Sequence, residues 1–259
     1  MGAMPEEIEG ILNLLTNRTE EVIGMRTYYS GKINDIETIV VFSRWGKVSA
    51  AATVSTLVLN FEITELVFTG VAGAISPTLR IGDIVLGKRL IQHDLDARPL
   101  MKQYEIPLLG KTFLETNTAQ LDIATNAINR FVEFQNFRQI ISSDTLEKFN
   151  ISAPKLLIGD IASGDVFFSS NQQKMGLYSQ LPSIACVEME GAAVAQVCFE
   201  YQLPFTIIRT ISDDANDKSH IDFPLFIKDV ASIYSMQIIK NLYSHLSQKT
   251  NSRNSEFVF

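Results

Sequence analysis

An apolar run at residues 183–187 ends in two carboxylates, Glu188 and Glu190, and then gives way to a helical pattern over residues 192–201. Positions two apart in an extended segment point the same way, so we expect these carboxylates to project together at a strand end. Glu190 would also open the helix, where the N-terminal dipole favours an ionised carboxylate. Taken alone, Glu190 is simply a good first-turn residue, but a strand leading into a helix indicates an α/β fold.

A second apolar run, residues 204–211, also ends in acids, Asp213 and Asp214. In mostly parallel sheets, ligand sites lie outside the carboxyl ends of the strands. Two more unusual stretches follow predicted strands: small residues at 70–74, and a Ser-Gly-Asp turn with two phenylalanines at 163–168. These strand ends together predict one site at a single edge of the sheet.

Helices and strands alternate along the rest of the chain. Apolar spacing and turn residues predict a helix at 8–15, strands at 28–33 and 38–42, a helix at 48–59, a strand at 66–69 that stops at the glycine-rich turn, a strand ending near 92, a long loop at 95–115, a helix at 118–134, a polar surface excursion at 141–154, a strand at 155–161 and a long helix at 223–246. We therefore expect one three-layer α/β domain at 1–248, with a central mixed, mostly parallel twisted sheet flanked by helices. A polar tail would follow at 249–259.

The composition narrows the possible partners. A chain of 259 residues with 46% hydrophobic residues can bury a full core, and a net charge of −7 argues against nonspecific affinity for nucleic acid or anionic membranes. Cys186 and Cys198 lie in apolar contexts, which favours buried thiols in a reducing compartment over a disulfide. With only three histidines, a histidine-based metal site is not expected. The sequence shows no apparent signal segment, which argues against export. We expect a cytoplasmic protein without membrane or nucleic-acid partners.

Four motifs, in this order along the chain, resemble the nucleoside phosphorylase/nucleosidase superfamily. They are Thr69-Gly70-Val71-Ala72-Gly73, Ser163-Gly164-Asp165-Val166-Phe167, Val187-Glu188-Met189-Glu190-Gly191 and Arg209-Thr210-Ile211-Ser212-Asp213. Among its members, the chain is most similar to the bacterial 5'-methylthioadenosine/S-adenosylhomocysteine nucleosidases. The resemblance implies a nucleoside phosphorylase-like fold, a homodimer, a small-molecule nucleoside substrate and no cofactor. It also implies hydrolysis of an N-ribosidic bond with release of adenine.

The resemblance assigns catalytic roles to four residues. Asp213 would be the general acid at adenine N7, and Ser212 would orient it. Glu7 would activate water, although alone it is also an ordinary helix first-turn charge. Glu190 would bind the ribose hydroxyls and face the positive charge that develops on the sugar.

The resemblance also implies a set of substrate-binding residues. Met189 and Met4 would pack on the sugar, Phe167 would stack on adenine, and the backbone around Phe168 would form hydrogen bonds with the adenine edge. Phe223 would line the 5'-alkylthio pocket, and Arg209 would help to hold the water and Glu190 in place. The remaining lining residues would be Val71, Ala72, Gly73 and Glu188. The superfamily's first strand precedes the segment where this chain begins, so that strand is either outside this sequence or missing.

Two alternatives to the hydrolase remain open at this point. A purine nucleoside phosphorylase would need an arginine just before the glycine turn and a serine within it, where this chain has Phe68 and Val71. Arg44 and Arg209 are the residues that favour phosphate. A noncatalytic nucleoside-binding protein on the same fold is the other alternative, and it gains weight if Glu7 is not held in place. Trp45 and the 95–107 loop differ from the better-known members, so the 5'-substituent is open among methylthio, homocysteinyl, deoxy and aminodeoxyfutalosine groups.

Overall fold

Two sheets organise the protein, whose computed structural model describes residues 1–133, 138–215 and 223–255, with side chains given up to residue 248. The smaller sheet is an antiparallel meander of β1 (Thr16–Ile23), β2 (Arg26–Ile33) and β3 (Ile36–Val40). The larger sheet contains β4 (Leu66–Ala74), β5 (Ile84–Gln92), β6 (Leu114–Glu115), β7 (Leu156–Ser163), β8 (Ile184–Glu188) and β9 (Phe205–Asp213).

The larger sheet is mixed, as predicted, but it closes on itself instead of staying open. Its strand order is β6-β5-β7-β8-β4-β9, and β9 also pairs with β5. Pairs β4–β9, β5–β7 and β7–β8 are parallel, whereas β4–β8 and β5–β9 are antiparallel. Residues 84–86 of β5 bond to β7 on one edge and to β9 on the other, just before a register shift between Gly87 and Arg89. Such irregularities bend a strand, which helps a sheet to close.

The described helices are α1 (Pro5–Leu12), α2 (Lys47–Phe61), α3 (Thr118–Val132), α4 (Ser143–Lys148), α5 (Asn171–Gln180), α6 (Gly191–Glu200), α7 (Phe223–Phe226) and α8 (Ser232–Ser255). A π-helical turn at Ile227–Ala231 joins α7 to α8, so the predicted C-terminal helix is present with one irregular turn. The helix α8 runs to Ser255 and so continues into the predicted tail at 249–259, whose side chains are not described. No described helix is both long and apolar enough to cross a bilayer.

The core lies on both faces of the larger sheet. Val85 packs in a cluster with α2 and α6, whereas its neighbours Ile84 and Leu86 pack in a cluster with α3 and α8. Alternate residues of a strand point to opposite faces, so residues 84–86 are all apolar because both faces of β5 are covered there. Cys186 and Cys198 are buried free thiols within the first of these clusters, as the sequence predicted.

Two predictions about individual segments need correction, and the first strand was missed. The strand predicted at 66–69 does not stop at Gly70, because β4 continues through the glycine-rich segment to Ala74. The 141–154 segment is not a surface excursion, since α4 lies within it and its apolar side chains Leu146 and Phe149 are buried. β1 was not predicted, because its sequence is mostly polar and its side chains are exposed, as an edge strand allows.

Candidate active site

A pocket opens at the carboxyl ends of β4, β7, β8 and β9. All of the site residues predicted from the sequence line this pocket: Met4, Glu7, Val71, Ala72, Gly73, Phe167, Phe168, Glu188, Met189, Glu190, Arg209, Ser212, Asp213 and Phe223. Parallel strands deliver their carboxyl ends to one edge, which explains why distant segments meet here. The structure thus brings together all of the proposed residues, and their chemical roles stay proposals.

Glu7 is held firmly at one side of the pocket. Its side chain is only 1% exposed, and its Oε2 accepts hydrogen bonds from the backbone N–H groups of Ala3 at 2.6 Å and Met4 at 3.1 Å. Burial raises the pKa of Glu7, while the Arg209 charge and these N–H groups oppose the rise. A carboxyl group whose pKa is raised by burial and lowered by neighbouring donors is suited to accept a proton.

Two backbone features fix the segment that carries Glu7. Gly2 pairs in parallel with Phe42 beyond β3, and the Thr69 N–H of β4 donates to the Met1 carbonyl at 3.0 Å. On the pocket side, a Cβ on Gly70 would lie 3.0 Å from Glu7 Oε1, closer than side chains normally approach. A larger residue at position 70 would therefore push the Glu7 carboxylate aside by a few tenths of an ångström.

A buried ion pair between Glu188 and Arg209 forms part of the pocket lining. The Arg209 Nη2 and Nε atoms donate to Glu188 Oε2 at 2.7 and 3.2 Å, and the guanidinium lies 4.1 Å from the centre of the Phe68 ring. Arg209 forms hydrogen bonds with Glu188 and none with Glu190, on which it acts only through its charge. Breaking such a pair by removing one partner leaves an uncompensated buried charge, so both residues are needed together.

Glu188 also caps the helix that follows it. Its carboxylate accepts from the Gly191 N–H at 2.9 and 2.8 Å and from the Glu190 N–H at 3.2 Å, and it forms a short hydrogen bond with the Ser163 hydroxyl. The Ser163 Oγ in turn accepts from the Ala192 N–H at 2.7 Å. The carboxylate at the α6 N-terminus is thus Glu188 instead of Glu190, and this leaves Glu190 free to face the pocket.

Glu190 has a different environment from its neighbour. It occupies the N-cap position of α6 without a side-chain capping bond, and its Oε1 accepts from the Gly46 N–H at 2.8 Å. Burial first, and then the negative charge of Glu188, raise the pKa of Glu190 to about 8. This carboxyl group therefore titrates near neutral pH, and its ionised form would be stabilised by a cationic partner in the pocket.

Asp213 ends β9 in a hydrogen-bonded position. Ser212 Oγ donates to its Oδ2 at 2.7 Å, and the Ala215 N–H donates to its Oδ1 at 2.7 Å. Both Asp213 and Ser212 are buried, whereas Asp214 is exposed. The contact that the sequence predicted between Ser212 and Asp213 is present, and it fixes the direction in which the carboxyl group faces.

Aromatic side chains form the opposite wall. Phe167 and Phe223 meet edge to face with ring centres 5.8 Å apart, and Phe168 meets His93 in the same way at 5.3 Å. Trp45 is 58% exposed and lines the pocket near its opening. Flat apolar walls opposite a cluster of acids suit a ligand with one aromatic part and one hydroxyl-bearing part.

A family model described as the phosphorylase superfamily matches residues 1–242. The chain belongs to the phosphorylase superfamily. A curated 5'-methylthioadenosine/S-adenosylhomocysteine nucleosidase of Staphylococcus aureus (strain bovine RF122 / ET3-1) is 30% identical over 249 residues, which cover 95% of this chain and 98% of that protein. The resemblance inferred from the four motifs is thereby confirmed.

Solved structures of this superfamily show the same fold. The S. pneumoniae 5'-methylthioadenosine/S-adenosylhomocysteine nucleosidase with a transition-state inhibitor has a TM-score of 0.80 at 30% identity, and the match covers 95% of this chain and 97% of that one. The futalosine hydrolase of Helicobacter pylori has a TM-score of 0.80 at 31% identity over 94% and 95% of the two chains. The nucleoside phosphorylase-like α/β fold is therefore established for this chain.

Several residues that line the pocket were not predicted from the sequence. Ala3, Gly70, Val166 and Val187 also line it, next to residues that were nominated. Ser163 does not line the pocket but binds Glu188 from below. Its position at the start of the second motif was the only sequence feature that could have indicated this contact, because a serine at the end of a strand is common in proteins.

Proposed function

We propose that this protein hydrolyses the N-ribosidic bond of 5'-methylthioadenosine and S-adenosylhomocysteine and releases adenine. The observation that carries the proposal is the placement of two supported acids in one pocket: Glu7, held by two backbone N–H groups, and Asp213, held by Ser212. The similarity to nucleosidases over nearly the whole chain supports the same conclusion.

The chemistry divides between the two sides of the pocket. Asp213 donates a proton to adenine N7 as the bond between adenine and ribose C1' breaks, and the sugar acquires positive charge in a ribosyl cation-like transition state. Water adds to C1', and Glu7 accepts the proton that this water loses. The ionised Glu190 binds the ribose hydroxyls and stabilises the cationic sugar. Proton exchange with solvent then restores Asp213 and Glu7 for the next turnover.

Water is favoured over phosphate by the residues around the glycine-rich end of β4. Phe68 is fully buried beneath the Arg209 guanidinium, and Val71 presents an apolar side chain to the pocket. Arg209 is already paired with Glu188. A phosphate dianion would therefore meet the Glu7 carboxyl group and an apolar wall where it needs donors, which is costly.

Adenine release is expected to be independent of phosphate. The test is a product assay on a small panel of 5'-substituted adenosines, with and without phosphate at millimolar concentration. Free ribose derivatives and equal rates support the hydrolase. A ribose-phosphate product, or a rate proportional to phosphate, would establish the phosphorylase alternative, and binding without adenine release would establish the noncatalytic one. The panel also ranks the 5'-substituents, including the deoxy and futalosine-type groups.

We also propose a homodimer, supported by large apolar side chains that this single chain leaves uncovered. Val48 on α2 is 82% exposed, and Leu100 and Leu108 in the loop between β5 and β6 are 90% and 93% exposed. Exposed apolar groups of this size on neighbouring segments are typical of interfaces. Light scattering at micromolar concentration should give twice the chain mass of 28.9 kDa. A monomer at that concentration would contradict the proposal.

A further inference from the structure

Three loops at the edge of the pocket are tied together by Lys47. Its ammonium group lies 2.6 Å from Asp94 Oδ1 and 3.6 Å from Asp165 Oδ2. The Lys47 backbone N–H donates to Asp165 Oδ1 at 3.0 Å, and the Asp165 N–H donates to Asp94 Oδ2 at 2.9 Å. We call Lys47, Asp94 and Asp165 the Lys47 cluster; it joins the start of α2 to the segments that follow β5 and β7.

The Lys47 cluster lies next to residues that face the ligand pocket. Gly46, which precedes Lys47, donates its N–H to Glu190 Oε1, and Val166 and Phe167, which follow Asp165, line the pocket. The first turn of α2 has no side-chain capping bond that would fix its backbone from within. The Gly46 carbonyl accepts the first helical hydrogen bond, from the Ala50 N–H at 3.1 Å, and the hydrogen bond of the Lys47 N–H to Asp165 ties the same turn to the segment that follows β7.

The backbone conformation at Gly46 makes this support necessary. Its φ of +91° and ψ of 156° lie in a region that only glycine adopts readily, so the segment has more freedom than an ordinary helix start. A Cβ at this position would lie 3.4 Å from Asp165 Oδ1, which shows how closely the two segments approach. A shift of this turn would carry the Gly46 N–H away from the Glu190 carboxylate.

We propose that Lys47 is a positioning residue, which holds the Gly46 N–H on the Glu190 carboxylate and so orients that carboxylate toward the ribose. The inference rests on the proposed nucleosidase function, because the task of Glu190 comes from it. The Lys47 side chain does not line the pocket; its ammonium group holds the Asp94 and Asp165 carboxylates, and Asp165 in turn holds the Lys47 backbone N–H and so the turn at Gly46. In this proposal the positive charge of Lys47 takes no part in the chemical step and only keeps the three loops together.

A change in the proton affinity of Glu190 should accompany the loss of this support. The Glu188 and Glu7 charges, from β8 and α1, face Glu190 and raise its pKa together with burial, whereas the Arg209 charge from β9 and the Gly46 N–H lower it. Without the N–H bond, the pKa of Glu190 rises above its value of about 8. The ionised fraction at neutral pH then falls, and the rise of kcat/KM with pH moves to higher pH.

The test compares Lys47→Met with the wild-type protein and with a matched control. Lys32→Met makes the same chemical change in an exposed ion pair with Glu37, 3.0 Å long, on the small sheet. For Lys47→Met, kcat/KM for 5'-methylthioadenosine at pH 7 should fall by about tenfold, the expected effect of one lost hydrogen bond to a charged group. Its pH profile should shift upward, Lys47→Arg should restore most of the activity, and Lys32→Met should change neither quantity.

Several outcomes would overturn the inference. A Lys47→Met protein whose loss of rate comes without a shift of the pH profile would make Lys47 a merely structural residue. If that variant does not melt cooperatively, Asp94→Asn, which removes the ion pair with little change in size, should give the same upward shift, and its absence decides against the proposal. A wild-type protein that releases no adenine would instead overturn the proposed function, so the two failures are distinguishable.

Discussion

Replacement of Asp213 by asparagine should reduce the rate of adenine release by roughly 10²–10⁴-fold, the usual contribution of one general acid. Asparagine keeps the size of the side chain and one oxygen for the Ser212 hydroxyl or the Ala215 N–H, which both donate to Asp213. Its amide can donate a hydrogen bond to adenine N7 but cannot transfer a proton. The measurement is adenine formation from 5'-methylthioadenosine by purified protein under saturating substrate.

The next residue provides the control for this substitution. Asp214 is exposed, and its carbonyl oxygen accepts from the Lys174 ammonium group at 2.8 Å, a contact that does not use its side chain. Asp214→Asn removes the same charge one position away and should retain the wild-type rate within about twofold, as surface substitutions generally do. Equal turnover in Asp213→Asn and the wild type would remove Asp213 from the mechanism.

Glu7→Gln should lower the rate by a similar factor of roughly 10²–10⁴, because glutamine cannot accept the proton that the attacking water loses. The glutamine carbonyl can still accept the Ala3 and Met4 N–H groups, so the start of α1 should keep its conformation. The measurement is the single-turnover rate of adenine release, which separates the chemical step from product release.

Glu6→Gln is the matched control for this prediction. Glu6 lies in the same first helical turn and is exposed, so its charge has the same helix-dipole environment without access to the pocket. Calorimetric binding of adenine should be retained in Glu7→Gln. Normal turnover in this variant would show that another group activates water, whereas loss of both binding and turnover would assign Glu7 a structural task.

The pocket could be predicted from sequence to the extent that its residues follow strands. Glu188 and Asp213 come directly after buried apolar runs, and a parallel arrangement delivers such positions to one edge. Glu7 is different, because nothing in its own helix distinguishes it from a first-turn charge. Its nomination depended on the superfamily resemblance, and the structure explains its place through the bonds of Ala3 and Met4.

Closure of the larger sheet could not be predicted, since it depends on which edges meet. Residues 84–86 are apolar, as any strand buried on both faces would be, and their sequence does not reveal that they bond to β7 and β9 at once. The different environments of Glu188 and Glu190 could not be predicted either, because they too depend on which residues meet in space. Two carboxylates two positions apart look equivalent until Arg209 and Ser163 are placed beside only one of them.

Trp45 gives the pocket an internal optical reporter. It is the only tryptophan in the chain, and its half-covered indole lies at the opening of the cavity. Indole emission moves to shorter wavelength when water is excluded, so a ligand that covers this side chain should shift the fluorescence of the unlabelled protein. Titrations can then follow occupancy without turnover, including in variants whose chemistry has been removed.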